Sequence, residues 1–257
     1  MTIRAALAAL ILCLAAPAPA AEVEKCPDMV AGLPVVRIAA GEEKVRLTFV
    51  GHASFLIESP RGVTAVTDYN DIVRANLTPD IVTMNKAHST HNSAAPQPGI
   101  KHILRGWDEG RPARHDLTEG DMRVRNAPTN LRDFDGGTDY SGNSIFIFET
   151  AGLCIAHLGH LHHKLLPEHR QALGHVDVVL APVDGAYTMG ARAMLETVQE
   201  LRAPLTIPMH FFGPSTLQRF LDMAQETFAI ERPGKRSIEL SRATLPTRPT
   251  VMALEGR

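Results

Sequence analysis

The stretch PDIVTMNKAHSTHN, residues 79–92, decides the fold, because an apolar run passes directly into a polar loop with two histidines. The run from Asp80 to Met84 is short and apolar, which is typical of a buried strand. His88 and His91 follow it within one loop. Imidazole is a common ligand of zinc and other transition metals, so the stretch predicts a strand that delivers metal-binding groups at its end.

The same arrangement, a strand followed by a polar residue, recurs along the chain. The polar residues at the other strand ends are His52, Asp68, His157, His160, Asp184 and His210. Loops at one edge of a sheet are where a rigid scaffold carries binding and catalytic groups. A lone histidine is more often structural or exposed, but several at separate strand ends indicate a metal site. Zinc, iron, copper and nickel are the metals that suit imidazole.

The order of the predicted elements indicates an α/β domain. Strand-like runs recur through residues 44–157 and include a hairpin around Ala151 and Gly152, whereas the Pro-rich and Gly-rich section 93–121 is predicted to be loop with one short strand. Three helical segments then alternate with strands: PEHRQALG (167–174), GARAMLETVQELR (190–202) and STLQRFLDMAQETF (215–228). This order predicts two sheets with helices on the outside, and no repeat or linker divides residues 21–257, which are predicted to form one domain.

The N-terminal segment MTIRAALAALILCLAAPAPAAE has the pattern of a secretory signal peptide. Arg4 precedes an apolar stretch from Ala5 to Ala16, and small residues lead to a predicted cleavage site after Ala20. The apolar stretch is too short to span a bilayer comfortably. Residues 1–20 are therefore predicted to be removed on export, which makes the mature protein periplasmic or secreted, without a membrane anchor.

Export bears on the two cysteines that the mature chain keeps, Cys26 and Cys154. An oxidising compartment permits a disulfide between them. Cys154 lies in an apolar strand-like run, where a buried free thiol is the commoner outcome. The sequence leaves both alternatives open.

The charge balance limits the class of partner. The chain has a formal net charge of −2, and it contains no long run of charges of one sign. This gives no electrostatic reason to expect nucleic acid or an anionic membrane surface as a partner. A small-molecule substrate is the partner that we expect.

Six stretches, taken in order, resemble the metallo-β-lactamase superfamily: LTFVGHASFLIE (47–58), VTDYN (66–70), DIVTMNKAHSTHN (80–92), GNSIFIFETAGLCIAHLGH (142–160), APVDGAYTM (181–189) and IPMHFF (207–212). The GHAS turn after the first strand is similar to the lactonase-like branch. The resemblance implies an αββα sandwich of two mixed sheets with helices on the outer faces. It also implies a metal cluster at one edge and hydrolysis by metal-activated water.

The chain departs from the family's ligand pattern at several positions. The family's loop His-x-His-x-Asp-His corresponds to residues 86–91, where Lys86 replaces the first histidine and Thr90 the aspartate. The family's next ligand loop carries a histidine near NAPTNLR (126–132), where this chain has Asn130. His160 replaces the aspartate that bridges two metals. A neutral imidazole has one free lone pair and ordinarily binds one metal, so a two-metal site is not expected.

The residues that remain predict a site for one transition metal ion, with zinc first and iron or manganese as alternatives. The predicted ligands are His88, His91, His160 and His210. Asp68 matches a position that accepts a hydrogen bond from a ligand imidazole.

Two other residues are candidates for proton transfer, His52 and Asp184, and His52 could also be a ligand. Two other occupancies stay open: a two-metal site with unusual ligands, or a site without metal in which the Lys86 ammonium replaces the charge of the cation.

Four residues are candidates for binding the substrate: Lys86, Asn130, Arg105 and Trp107. A guanidinium and an aromatic ring in RGWDEG (105–110) could line a cleft and hold a carboxylate or phosphate. The alternative for Trp107 is that it packs a long loop onto the body of the protein.

The sequence thus predicts an exported metal-dependent hydrolase whose substrate it does not reveal. The main alternative is a non-catalytic protein on the same fold that binds a small molecule or a metal. A third hypothesis is redox chemistry at a His-bound iron.

Overall fold

The strands of the protein form two sheets, and the computed structural model describes them over residues 43–133 and 135–256. The first sheet has six strands in the order β13-β1-β2-β3-β4-β5. Their bounds are β1 Val45–Gly51, β2 Ser54–Glu58, β3 Thr64–Val66, β4 Ile81–Met84, β5 His102–Arg105 and β13 Ser237–Leu240. The neighbours β3, β4 and β5 are parallel, and the other pairs are antiparallel.

The second sheet has eight strands in the order β12-β14-β11-β10-β9-β8-β7-β6. Their bounds are β6 Asp116–Glu119, β7 Met122–Arg132, β8 Thr138–Thr150, β9 Leu153–His157, β10 Val178–Pro182, β11 Leu205–Met209, β12 Ala229–Glu231 and β14 Thr250–Met252. The predicted hairpin is present between β8 and β9. From β9 to β12 the neighbouring strands are parallel.

Three α-helices pack on the eight-stranded sheet: α1 Pro167–Leu173, α2 Ala191–Leu201 and α3 Pro214–Ala224. Their buried side chains, including Met194, Val198 and Phe220, join one hydrophobic core with the outer face of the sheet. A 3₁₀ turn, Arg242–Thr244, precedes β14. Among the described residues, no helix is both long and apolar enough to cross a membrane.

A second hydrophobic core lies between the two sheets. It contains buried aromatic side chains from both of them, such as Phe49, Phe55, Phe146 and Phe148. Burying a side chain of this size contributes roughly 1.5–3 kcal/mol to folding, which is why the face-to-face arrangement is stable. The predicted α/β sandwich of two mixed sheets is confirmed.

The sequence predicted helices on the outer face of the six-stranded sheet, but this face is covered differently. Over the described residues, loop side chains cover it: Tyr69, Val73, Leu77 and Trp107 pack against buried residues such as Val82 of β4. Pro-rich and Gly-rich sequence between β3 and β5 favours such loops over a helix. Trp107 therefore packs its loop onto the body of the protein.

The predicted signal peptide, residues 1–20, and Cys26 lie outside the described residues. Cys154 itself, in β9, is disulfide-bonded. A buried free thiol, the alternative outcome for this residue, is thus not what the structure has.

Candidate metal centre

Strand ends at one edge of the sandwich bring the predicted residues together. His52 lies in the turn between β1 and β2, and Asp68 follows β3. The other residues follow strands of either sheet: His88 and His91 come after β4, His160 after β9, Asp184 after β10 and His210 after β11. Parallel neighbours end at the same edge, so residues far apart in sequence meet there.

Four imidazoles converge on one point, and they are those of His88, His91, His160 and His210. The Nε2 atoms of His88 and His160 are 3.0 Å apart, and those of His91 and His210 are 3.1 Å apart. The ligand atoms of the group all lie within 4.8 Å of one another. Zn–N bonds of about 2.0–2.1 Å place two ligands of a tetrahedron about 3.4 Å apart, so the spacing fits one metal ion.

Two of the imidazoles are anchored by carboxylates on the side away from the centre. His91 Nδ1 lies 2.5 Å from Asp68 Oδ2, and both side chains are fully buried. His210 Nδ1 lies 3.0 Å from Asp184 Oδ1, a contact that is close but less well aligned. A carboxylate on Nδ1 keeps the proton there and leaves the Nε2 lone pair for a metal, as is usual for histidine ligands.

The other two imidazoles are held by neutral groups. Thr90 Oγ1 lies 2.7 Å from His88 Nδ1, and His162 Nε2 lies 2.7 Å from His160 Nδ1. Each histidine of the group therefore has another side chain beside Nδ1 and turns Nε2 towards the centre. Fixed rings of this kind are what a metal site requires.

Asp68 is itself fixed from a second side. Its Oδ1 accepts a hydrogen bond from Asn85 Nδ2 at 3.0 Å, and the side-chain oxygen of Asn85, Oδ1, accepts one from the Ser144 backbone N–H at 2.7 Å. Burial raises the pKa of Asp68 to about 6, against the opposing effect of His157 and of the Asn85 hydrogen bond. Asn85 therefore ties the centre to β8 of the other sheet.

Asp184 accepts many hydrogen bonds within its own loop. The backbone N–H groups of Ala186 and Tyr187 donate to Oδ2 at 2.9 and 2.5 Å, and the Thr188 hydroxyl donates to Oδ1. Burial alone would raise the pKa of Asp184, but the contacts from His210, Thr188 and Ala186 lower it below the usual range. The carboxylate is ionised and holds His210.

The surroundings favour the neutral form of His88, His91 and His160, because each of these imidazoles has a lowered pKa. Burial, followed by the repulsion between neighbouring imidazoles, lowers the pKa of His91 and of His160 well below the usual value. The same two causes lower the pKa of His52 to about 3. Neutral imidazole is the form that binds metal.

His52 is a fifth histidine at the centre. Its ring centroid lies 4.1 Å from that of His210, and its carbonyl oxygen accepts a hydrogen bond from the His210 backbone N–H at 2.7 Å. The buried Nε2 atom has no hydrogen-bond partner among the described residues. A buried nitrogen of this kind is costly unless a ligand or water satisfies it.

Three residues of the centre have left-handed backbone conformations. The φ angles are 52° for His52, 41° for Asp68 and 53° for His210. Non-glycine residues adopt this region at a cost of about 1–3 kcal/mol each, and such strain clusters at functional sites. The surrounding contacts must therefore hold these three residues in the left-handed region.

A glycine permits the approach of His160. Gly159 has φ +61°, and a Cβ atom there would lie 2.5 Å from both Asn143 Oδ1 and Asn85 Nδ2. The same Asn143 oxygen accepts a hydrogen bond from the His160 backbone N–H at 2.8 Å. Residue 159 must therefore be glycine for residue 160 to reach the centre.

The predicted substrate-binding residues lie in varied surroundings. Lys86 is half exposed, and its Nζ lies 2.8 Å from Asp139 Oδ2. Arg105 is exposed at the end of β5. Asn130 was expected in a loop but lies within β7, at an irregularity in its pairing with β8, where its side-chain oxygen accepts a hydrogen bond from the Ser141 N–H at 2.9 Å.

The sequence did not predict the roles that three residues hold at the centre: Asn85, Thr90 and His162. The signal for Asn85 was present, because it is the first polar residue after a buried strand. For His162 the signal was its place two residues after His160. Nothing in the sequence tells which ring of HLGHLHH faces inward.

Comparison with known proteins assigns this chain to a family. The family model for the beta-lactamase superfamily domain matches residues 46–210, more than half of the chain. A metal-dependent hydrolase of Methanoregula boonei is 27% identical over 186 residues, which cover 65% of this chain and 82% of that protein. One from Pyrococcus furiosus is 23% identical over 205 residues, covering 65% and 84%.

Solved structures give the same fold. A protein from Thermotoga maritima, assigned to the zinc-dependent hydrolases of the metallo-β-lactamase superfamily, aligns with a TM-score of 0.62 and 30% identity. The alignment covers 83% of this chain and 100% of that one. Igni18, a metallo hydrolase of Ignicoccus hospitalis, aligns with a TM-score of 0.55 and 20% identity, over 77% of this chain and 99% of its own.

Proposed function

Because the chain belongs to the metallo-β-lactamase superfamily, we propose that it is a hydrolase which uses one transition metal ion, zinc in the first place. The observation that carries the proposal is the convergence of four Nε2 atoms, each on a ring whose Nδ1 atom lies against another side chain. A bound ion of this type acidifies water and supplies a nucleophile at neutral pH.

A single ion fits the donors better than two. Both carboxylates of the centre, those of Asp68 and Asp184, are turned to Nδ1 atoms and do not face the midpoint of the group. Two cations close together ordinarily need a bridging carboxylate, and here His160 offers one nitrogen only. Within the described residues, the four histidines are the one group of this kind that could hold a metal.

The chain's own residues have distinct tasks in this proposal. His91 and His210 hold the ion, with their rings fixed by Asp68 and Asp184. The unpartnered Nε2 of His52, beside His210, is placed to hydrogen-bond water or substrate at the centre. The substrate is a small molecule with a bond open to hydrolysis, such as a lactone, amide or phosphoester.

The test is metal analysis followed by turnover. Purified mature protein, supplied with zinc, iron and manganese in turn, should bind close to one equivalent of one of them, and His91→Ala should weaken that binding by more than about 10-fold. The loaded protein should then hydrolyse a member of a panel of esters, lactones, phosphoesters and β-lactams. Metal binding without any turnover, together with thermal stabilisation by a small molecule, would favour a binding protein instead.

We also propose that the protein is exported and acts in the periplasm or outside the cell. The support is the signal-peptide pattern of residues 1–20 and the disulfide at Cys154, a bond that persists in oxidising compartments. Intact mass of the protein from the periplasmic fraction should correspond to a chain that starts at Ala21. A cytoplasmic protein that keeps residues 1–20 would contradict this.

A further inference from the structure

We infer that His160 serves the centre as an N–H donor and not as the fourth metal ligand, an inference that rests on the proposed function. It follows from the direction of the hydrogen bonds behind the ring. The Arg132 backbone N–H, which can only donate, lies 2.5 Å from His162 Nδ1. His162 Nδ1 must therefore accept, and the ring carries its proton on Nε2.

This direction is passed on to His160. His162 Nε2 lies 2.7 Å from His160 Nδ1, so the N–H of His162 donates and His160 Nδ1 accepts. The remaining proton of the neutral His160 ring is then on Nε2, which faces the centre. A second proton on either ring would place two N–H groups against each other, which the short distances exclude.

His88 receives the bond that His160 donates. The two Nε2 atoms are 3.0 Å apart, so His88 accepts with its Nε2 lone pair and donates from Nδ1 to Thr90 Oγ1. His88 thus offers the lone pair that a metal needs. If a cation took that lone pair, the N–H of His160 would lose its acceptor and would be available to another oxygen at the centre.

His91 and His210 present the opposite arrangement. His91 Nδ1 faces the Asp68 carboxylate, which only accepts, so the His91 ring carries its proton on Nδ1. The Asp184 carboxylate, 3.0 Å from His210 Nδ1, favours the same tautomer of His210, although that contact is not aligned as a hydrogen bond. The Nε2 lone pairs of the two rings face each other at 3.1 Å, which is repulsive unless a cation lies against both. Three histidines therefore offer lone pairs and one offers an N–H.

This division suits a hydrolytic centre. Three histidine ligands would let a bound zinc ion take up water as well, whereas four would complete its usual coordination. The fixed N–H of His160 would then be free to donate to a substrate oxygen that gains negative charge. His160 is then a catalytic residue, and His162 is a positioning residue that sets its proton through the Arg132 backbone.

The first experiment compares metal binding by wild-type, His91→Ala, His160→Gln and His160→Leu proteins, using zinc and a competing chelator. The dissociation constant should stay within about threefold of wild type in both His160 variants and rise by more than about 10-fold in His91→Ala. Zinc affinity lost in the His160 variants as in His91→Ala would overturn the inference. Absence of zinc binding by the wild type would instead overturn the proposed function.

The second experiment measures tautomers directly by long-range ¹H–¹⁵N NMR of the histidine rings in zinc-loaded wild-type protein. His160 and His162 should both carry the proton on Nε2, and His91 and His210 on Nδ1. A His160 ring protonated on Nδ1 would contradict the inference, since that form leaves Nε2 free to bind zinc. This readout does not depend on a substrate.

Turnover separates the roles of the two residues. His160→Leu should lower kcat by about 10²–10³, the usual effect of losing one fixed donor to an oxyanion, and His160→Gln should retain part of it. His162→Ala should mix the His160 tautomers in the NMR spectrum, while His163→Ala, a change at the exposed neighbour, should alter neither tautomers nor kcat. Identical behaviour of the two alanine variants would refute the role of His162.

Discussion

Asp68→Asn tests the support of the metal centre, because it changes the charge and one donor while keeping the shape of the side chain. Asp68 Oδ2 lies 2.5 Å from His91 Nδ1, and Oδ1 lies 3.0 Å from Asn85 Nδ2. An asparagine has one oxygen, so it can serve only one of these donors. Asn85 cannot turn over to help, because its own oxygen accepts from the Ser144 N–H at 2.7 Å.

Either orientation of the new amide is unfavourable. If its oxygen faces His91, its NH₂ group meets the NH₂ group of Asn85, and a buried donor left without an acceptor costs about 1–3 kcal/mol of folding free energy. If its NH₂ group faces His91, the ring must accept at Nδ1, and its Nε2 then carries the proton and cannot bind metal. Changes at such supporting residues typically weaken metal binding by about 10–100-fold.

The assay combines a chelator competition for zinc with chemical denaturation of the metal-free protein. Asp68→Asn should show the loss of affinity together with a loss of stability. Asp177→Asn is the matched control, since Asp177 is also a buried carboxylate that accepts from several donors, but it lies before β10 at the opposite end of that strand. It should lose stability and keep the zinc affinity. Wild-type zinc affinity in Asp68→Asn would refute the reasoning.

Three further predictions concern stability and charge. Burial alone would raise the pKa of Asp177, but contacts with His175, the Cys154 N–H and Arg242 lower it. The ionised Asp177 therefore stabilises the folded protein above the ordinary carboxyl pKa, and this stabilisation is lost as the pH falls through the lowered pKa. Asp177→Asn should thus flatten the acid side of a stability-against-pH curve measured by denaturant titration, and an unchanged slope would contradict this. Gly159→Ala should lower the melting temperature, because the new Cβ would lie 2.5 Å from side-chain atoms of two asparagines and the backbone has φ +61°; a melting temperature equal to wild type would show that the loop moves freely. Lys86→Ala should leave zinc stoichiometry unchanged and cost less than about 1 kcal/mol, since the pair with Asp139 is half exposed; zinc bound only by the variant would mean that the ammonium replaces the cation.

Much of the fold and of the metal centre could be predicted because strand ends meet at one edge. The β-strands and the position of each histidine after them are local patterns, and the resemblance supplied the order in which they assemble. His88, His91, His160 and His210 come together as the pattern predicted.

The details that the sequence did not reveal depend on contacts between distant segments. Asn130 was expected in a loop, but the long pairing of β7 with β8 extends through it. Asp184 was a candidate for proton transfer, yet the turn after it folds back so that Tyr187 and Thr188 surround its carboxylate. No periodicity encodes a turn of this kind.

The loops that cover the six-stranded sheet and the pairing of His160 with His162 also depend on contacts between distant segments. A helix and a packed loop can bury the same apolar face of a sheet. That a loop with Trp107 covers this face follows only from contacts of Trp107 with residues distant in sequence. Likewise, the order HLGHLHH does not say that the backbone N–H of Arg132, thirty residues earlier, sets the proton of His162.

The central claim is that the histidines of the centre hold one metal ion, and its most direct test is the number of metal equivalents bound by the purified protein. Elemental analysis of protein loaded with zinc and freed of excess metal should give close to one equivalent in the wild type and none in a His91→Ala, His210→Ala double variant. Two equivalents in the wild type, or none after loading with zinc, iron and manganese in turn, would contradict the account.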